Sequence, residues 1–418
     1  MFRFIRNIHA LMQNEVRKMN PKPAFSANHL MSPDVLADPY PAYHELRERS
    51  PIQYDFLPAG ASPVLKETLR AWAFLKYDDV YNTLHDHGTF KSVGLLAEYG
   101  LGPRLPLLHD NPPRHSRFRK LVNQAFTPQR IEALEPWVAA IAKDLIDKMG
   151  NGDVEVMQSY AIPLPVKVIA RLMGIPDEEY LTFRQWSDAY ASTLSMSAEV
   201  RNRRIEEMLA YFGRMAAARR TDVHDDLITA LVQAEVDGES LEEWEILGFC
   251  TLLLIAGNET TTNLLGNMLN VLAQRPWLWQ TLRKDRSLLN TFIDESLRYE
   301  SPAQRLMRKA TRDVEVSTVR IAQGDWVSVF YGAANRDPAA FSNPDEFRLD
   351  RDLRNHVAFG SGIHYCMGAP LARLEARLTL NTLLDRFSTL TPGRLPTVRQ
   401  RASFFVLGFD QLGLTFNP

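Results

Sequence analysis

Apolar positions along the chain follow two different periods. Between residues 128 and about 297 they recur every three or four places, the spacing of helices with one buried face. Candidate helices cover 129–149, 177–195, 199–219 and 225–236, and the longest segment runs from 241 past 272. Breakers fall at 150–152, 174–176 and 237–238, where glycine and proline interrupt the pattern. Earlier in the chain, prolines 21, 23, 33, 39 and 41 mark irregular backbone. A helix starts near Tyr43, and short strands are expected at 52–54 and 71–74. Beyond Pro302 the period drops to two: Val314 and Val316, then Val327 and Val329, with a turn at 323–325 between the pairs. A helix resumes at 369–386. The expected fold is therefore mainly α with a smaller β portion. No repeat or linker divides it, so residues 38–418 read as one catalytic domain preceded by an N-terminal arm, 1–37.

Composition narrows the class. A chain of 418 residues with 45% hydrophobic positions and a net charge of −2 can bury a large core and carries no basic arm for nucleic acid. The longest apolar stretch, 249–256, is far shorter than the roughly 18 residues of a membrane span. Two cysteines, Cys250 and Cys366, build no disulfide framework and fit a reducing, cytoplasmic setting. The first residues carry Phe4, Ile5, Ile8, Leu11 and Met12 at helical spacing, with Arg3, Arg6, Arg17 and Lys18 around them. That segment reads either as a frayed arm or as a basic amphipathic helix on a membrane surface. It lacks the cleavage site of a secretory signal.

Candidate chemistry centres on Cys366. It stands among Gly360, Gly362 and Gly368, just before a helix. Glycines permit positive φ and close approach of backbone, and a helix N-terminus favours a thiolate. By itself the residue reads equally as a buried, inert cysteine. Three other places carry unusual chemistry. Glu295 and Arg298 lie one helical turn apart and can pair. Gly257 interrupts the long helix at a cost of about 1 kcal/mol against alanine, just before Glu259 and Thr260. The threonine hydroxyl could bond back to its own helix or serve chemistry. His115 and Arg119 share one helix face.

Taken together, Phe359-Gly360-x-Gly362-x-His364-x-Cys366-x-Gly368 closely resembles the signature of the cytochrome P450 family in its bacterial soluble form. Glu295-x-x-Arg298, Ala256-Gly257-Asn258-Glu259-Thr260 and the helix beginning at His115 match further family motifs in order, and the resemblance spans nearly the whole chain. It implies haem b held between the long central helix and the cysteine loop, with Cys366 as the iron ligand and Phe359 and Gly360 beside it. It implies His115, Arg119, Arg308 and His364 as propionate partners. Glu295, Arg298 and Arg351 become a buried structural triad. Thr260 and Glu259 become the pair that delivers protons during oxygen cleavage, where the helix opens locally, with Ala256 and Gly257 leaving room for oxygen.

The resemblance also implies a mono-oxygenase acting on a hydrophobic small molecule, most often by hydroxylation. Substrate would be lined by Val93, Leu95, Leu96, Leu252, Ile255, Gln304, Leu306 and Val406, with Gln304 and Arg305 hinting at a polar end. No nicotinamide-binding glycine motif or ferredoxin cysteine set occurs in the chain. Electrons are therefore expected from a separate ferredoxin or flavodoxin with its reductase, docking on Arg114, Arg117, Lys120, Arg354, Arg373 and Arg377. A peroxide-using relative carries Arg-Pro in place of the acid–alcohol pair, and a non-catalytic haem sensor needs no such pair. Both are the alternatives.

Overall fold

The computed structural model describes residues 25–100, 104–191, 197–236, 238–401 and 403–418. The amphipathic segment at the N-terminus lies outside them. The main helices are α1 (Tyr40–Arg47), α2 (Tyr77–His85), α3 (Arg114–Ala125), α4 (Glu135–Met149), α5 (Pro163–Leu172), α6 (Tyr180–Ala191), α7 (Ala198–Ala218), α8 (Glu243–Ala273), α9 (Leu289–Tyr299) and α10 (Ala369–Arg386). The strands are β1 (Ile52–Leu57), β2 (Leu69–Phe74), β3 (Phe90–Lys91), β4 (Gly152–Glu155), β5 (Arg305–Ala310), β6 (Trp326–Phe330), β7 (Thr389–Pro392) and β8 (Gly413–Asn417).

Helix α8 organises the body. It has 31 residues, so at 1.5 Å per residue it reaches about 46 Å. Its start is fixed by a reciprocal capping box between Glu242 and Glu245. Beyond that it is apolar on nearly every side, as a helix surrounded by protein must be, and it packs against α5, α6, α7 and α9. Gly257 permits the closest of these approaches. A Cβ there would lie 2.7 Å from Ile169 Cδ1 of α5, so the missing side chain makes room for that helix.

One sheet has the strand order β1-β2-β6-β5-β3, with β6 parallel to β2 and antiparallel to β5. A second has the order β7-β8-β4. Among the described residues no helix is long and apolar enough to cross a membrane.

The structure differs from the sequence pattern at identifiable places. The expected helix 129–149 breaks at Leu134 into Pro128–Ala133 and α4. The expected 225–236 shrinks to Leu227–Val232, and Gly238 at φ 80° turns a hairpin joining Glu235–Val236 to Glu239–Ser240. Val314–Val316 pairs with Val319–Ile321 through a turn at Ser317 and Thr318, both at positive φ. The turn at 323–325 leads instead into β6. Helix α5 was hidden by its own prolines, which sit in the first turn where no N–H is needed. Residues 25–37 are not a free arm: Leu30 is buried beside Tyr54 and Phe56, and its carbonyl accepts from Arg305 Nη2 at 3.1 Å.

Candidate active site

The cysteine loop is set by backbone geometry. Gly360 and Gly362 both occupy the left-handed region, at φ 69° and 66°, which strongly favours glycine. At Gly362 a Cβ would also lie 2.5 Å from the Leu84 carbonyl oxygen of α2. Gly368 is different. Its φ of −78° is ordinary, and a Cβ there would meet only Cys366 Sγ, at an ordinary contact distance of 3.8 Å. The Cys366 N–H donates to the Phe359 carbonyl at 3.0 Å and closes the loop.

Cys366 has free surface, yet protein surrounds it closely enough for burial to dominate its ionisation. Its free surface therefore faces a recess. The thiol pKa is raised, chiefly by burial. The N–H groups of Gly368 and Ala369 and the charges of Arg119 and Arg373 oppose the rise without cancelling it. A helix N-terminus alone thus does not hold a thiolate here. Arg373 lies 4.6 Å over the Phe359 ring and is fixed by Asp294 at 2.8 Å.

Behind the loop, Glu295 and Arg298 are fully buried and doubly bonded, at 2.6 and 2.8 Å. Arg351 reaches the same carboxylate at 3.3 Å. Arg298 also donates to the carbonyls of Asn335, Pro344 and Glu346. From Asn335 the connection continues through its side chain, which accepts from Val357 N at 2.7 Å. The Val357 carbonyl in turn accepts from Gly360 N. The three residues named from sequence are brought together.

A second cluster faces the recess. His115 and His364 have ring centroids 4.4 Å apart. Both ring nitrogens of His115 and Nε2 of His364 are buried without a hydrogen-bond partner. Burial lowers the His115 pKa, helped by Arg119. It pushes His364 down to about 2, with Arg308, His115 and Arg119 adding repulsion. Arg308 donates to the Met307 carbonyl at 2.8 Å. Among the described residues no carboxylate pairs with any of these four side chains. Buried donors and like charges left in this way call for an anion.

Across the recess stands α8. Its backbone is helical without interruption through Ala256–Thr260, so the expected local opening is absent. The Thr260 hydroxyl donates to the Ala256 carbonyl at 2.6 Å. Ala256 is exposed in mid-helix. Burial raises the Glu259 pKa, and its carboxylate accepts from Gln400 Nε2 at 3.4 Å. Nothing in the sequence singled out Gln400, which stands between Arg399 and Arg401 beside a short hairpin.

The substrate-side candidates separate. Gln304 is buried, accepts from the Tyr43 hydroxyl at 3.0 Å and donates to the Ser301 carbonyl at 2.7 Å. Arg305 donates to the Phe404 and Leu30 carbonyls and lies 4.7 Å over Phe330. Both take part in internal structure, although Arg305 Nη1 stays buried without a partner. Val93, Leu95 and Leu96 gather in one apolar cluster and Leu252 and Ile255 in another. Leu306 packs in a third, and Val406 bridges Ala303 by backbone.

The expected basic docking face is largely neutralised. Arg114 meets Asp110 and Glu245, Arg117 meets Glu239, Arg354 meets Asp352, Arg373 meets Asp294, and Arg377 meets Glu135. Each of these five arginines has a carboxylate of the same chain within 4 Å, so their excess charge is small.

Comparison with known proteins agrees with this arrangement. Residues 166–412 match the family model for cytochrome P450. Cytochrome P450 107B1 of Saccharopolyspora erythraea is 39% identical over 82% of this chain and 89% of its own. Erythromycin C-12 hydroxylase of the same organism is 36% identical, covering 79% and 86%. The solved structure of the bacillaene polyketide synthase cytochrome P450 PksS from Bacillus subtilis superposes with a TM-score of 0.85 at 33% identity, over 93% of this chain and 100% of that one. The chain belongs to the cytochrome P450 family. It is a mono-oxygenase, and its cofactor is haem b. The residues present fit that cofactor: a thiol faces the recess, and the unpartnered histidine nitrogens, with two arginines that have no carboxylate among the described residues, would satisfy two propionates.

Proposed function

We propose that Cys366 would hold the haem iron through its sulfur, and that His115, Arg119, Arg308 and His364 would hold its propionates. The single observation that carries this is the cluster of four basic side chains without a carboxylate, beside the only exposed thiol among the described residues. When bound, haem supplies the activation of molecular oxygen and its transfer to a substrate carbon. The chain's own part is to hold groups in place. Arginine forks orient the carboxylates of the cofactor edge. Gly360 and Gly362 shape the loop that presents the sulfur. On the other side, Thr260 holds a hydroxyl at the helix surface, and Glu259, kept protonated more readily by burial, can pass a proton toward it.

The reaction we assign is insertion of one oxygen atom of O2 into a hydrophobic small molecule, most simply as hydroxylation. Apolar side chains at Val93, Leu95, Leu96, Leu252, Ile255, Leu306 and Val406 support this substrate class. Relatives named for erythromycin and for a polyketide synthase favour a large polyketide-like molecule. Electrons would come from a ferredoxin or flavodoxin with its reductase. Because the arginines of the cysteine side are already paired, docking should depend on shape more than on net charge.

The test is Cys366→Ser. The variant should lose the thiolate-type spectrum of the reduced carbon monoxide complex; an unchanged spectrum would refute the ligand. A panel of macrolides, steroids, terpenoids and fatty acids, screened for low-to-high-spin shifts, then identifies the substrate class.

A further inference from the structure

One face of α8 carries a polar ladder at the four-residue spacing that stacks side chains along a helix: Glu259, Asn263 and Asn267. All three meet the segment around the hairpin formed by Val398–Arg399 and Phe409–Gln411. Asn267 donates to the Leu407 carbonyl at 3.0 Å and accepts from Arg399 Nη1 at 3.2 Å. Asn263 lies against Gly408, where any Cβ would collide with its amide. Glu259 accepts from Gln400 Nε2 at 3.4 Å, and Gln400 N donates to the Gly408 carbonyl at 3.1 Å. The hairpin loop is thereby seated along the helix that bears the acid.

Two polar atoms in this seam are buried without a partner, Gln400 Oε1 and Asn263 Nδ2. One is an acceptor and the other a donor. Buried groups of this kind are usually satisfied by ordered water. The charged groups nearby do not reach the acid: Arg399 is committed to Glu300 at 2.7 Å and to Asn267. Among the described residues, burial and Gln400 alone set the ionisation of Glu259.

We propose that Gln400 is a positioning residue for the proton-delivering acid, holding Glu259 along a wet seam between α8 and the hairpin that runs through Asn263. The loop carrying Val406, a candidate substrate contact, then also sets the orientation of the acid. Displacement of that loop by substrate would change proton supply. Geometry selects Gln400 for this role because it is the only hydrogen-bond donor to the Glu259 side chain among the described residues. The inference rests on the reading of Glu259 as a proton relay.

The test compares Glu259→Gln, Gln400→Leu and the double variant in two measurements. The first is infrared difference spectroscopy of the purified holoprotein across pH. The protonated carboxyl band of Glu259 should vanish in Glu259→Gln. In Gln400→Leu it should shift to higher wavenumber and titrate at higher pH, because a donor to the carboxylate has been removed. The second is substrate-free NADPH oxidation, driven by spinach ferredoxin and its reductase, in H2O and D2O. Gln400→Leu should slow it about tenfold with a larger solvent isotope effect, a small part of what a placed acid contributes. In the Glu259→Gln background the same change should cost less than about twofold. An unshifted band, or equal losses in both backgrounds, would overturn the role of Gln400. If Glu259→Gln itself oxidises NADPH with the wild-type isotope effect, the acid reading fails first. Gln400→Asn, shorter by one carbon but still an amide, replaces the leucine variant if that one does not load haem, with the same direction expected.

Discussion

Glu295→Gln should be among the most damaging single substitutions that touch neither cofactor nor substrate. One carboxylate here bridges two guanidinium groups, with Glu295 and Arg298 fully buried and Arg351 nearly so. Glu295 accepts from Arg298 Nε, Arg298 Nη2, Arg351 Nε and Arg348 N. Glutamine keeps the shape, removes the charge and turns one acceptor into a donor facing donors. Breaking a buried pair from one side costs about 3–5 kcal/mol, against a total stability of about 5–15 kcal/mol for typical domains. Replacing both partners costs less through charge but still strands the carbonyls of Asn335, Pro344 and Glu346 that Arg298 holds. The cost should also appear at the haem, because the link from Asn335 through Val357 to Gly360 ends in the cysteine loop. Urea unfolding followed by tryptophan fluorescence, with haem content and the reduced carbon monoxide spectrum of the purified protein, measures both effects. A loss below about 1 kcal/mol with full haem loading would refute the reasoning.

Thr260→Ala removes a hydroxyl bonded only to the Ala256 carbonyl, so stability should change by less than about 1 kcal/mol. Peroxide released per NADPH consumed should rise several-fold, and unchanged coupling would remove the residue from the reaction. His115→Ala with His364→Ala should lower haem retention against apomyoglobin by at least tenfold, because two unpartnered donors at the cofactor edge disappear; wild-type retention would disconnect the cluster from the propionates. A pH effect is expected at His109, whose ring accepts from Leu105 N at 3.0 Å and whose pKa burial lowers to about 4. A lowered folded value means that the unfolded chain takes the proton more readily. The stabilisation is therefore full above the unfolded value near 6.5 and is lost as pH falls toward 4, about 3 kcal/mol in all. Hydrogen-exchange protection factors around residues 104–110, taken relative to the intrinsic rate, should fall between pH 7 and 5, and His109→Gln should remove that dependence.

The helical body was legible because α8 and its neighbours repeat apolar residues over many turns. What stayed hidden were short elements whose identity depends on a partner. Val314–Val316 reads as half of a strand pair, but its partner is Val319–Ile321 because Ser317 and Thr318 accept positive φ, which residue type did not announce. Leu30 looked like part of a loose arm, since only its contact with Tyr54, Phe56 and Arg305 shows it to be core.

At the site, the residues legible in sequence were those with fixed spacing to a structural landmark: Cys366 to its glycines, Glu295 to Arg298, Glu259 to Thr260. Side-chain direction is not legible in this way: Gln304 and Arg305 hydrogen-bond to Tyr43, Ser301, Phe404 and Leu30. The arginines near the cysteine read as free charge in the sequence, although each has a carboxylate partner, some of them far away in the chain, such as Glu135 for Arg377 and Asp294 for Arg373. Sequence reports that a charge exists, and only the fold reports whether it is already spent. The four side chains at the cofactor edge carry the converse lesson: His115, Arg119, Arg308 and His364 come from three separate segments, and their common lack of a carboxylate is visible only once they face one another. That shared deficit, more than any one motif, is the physical ground for the proposal that the propionates bind there.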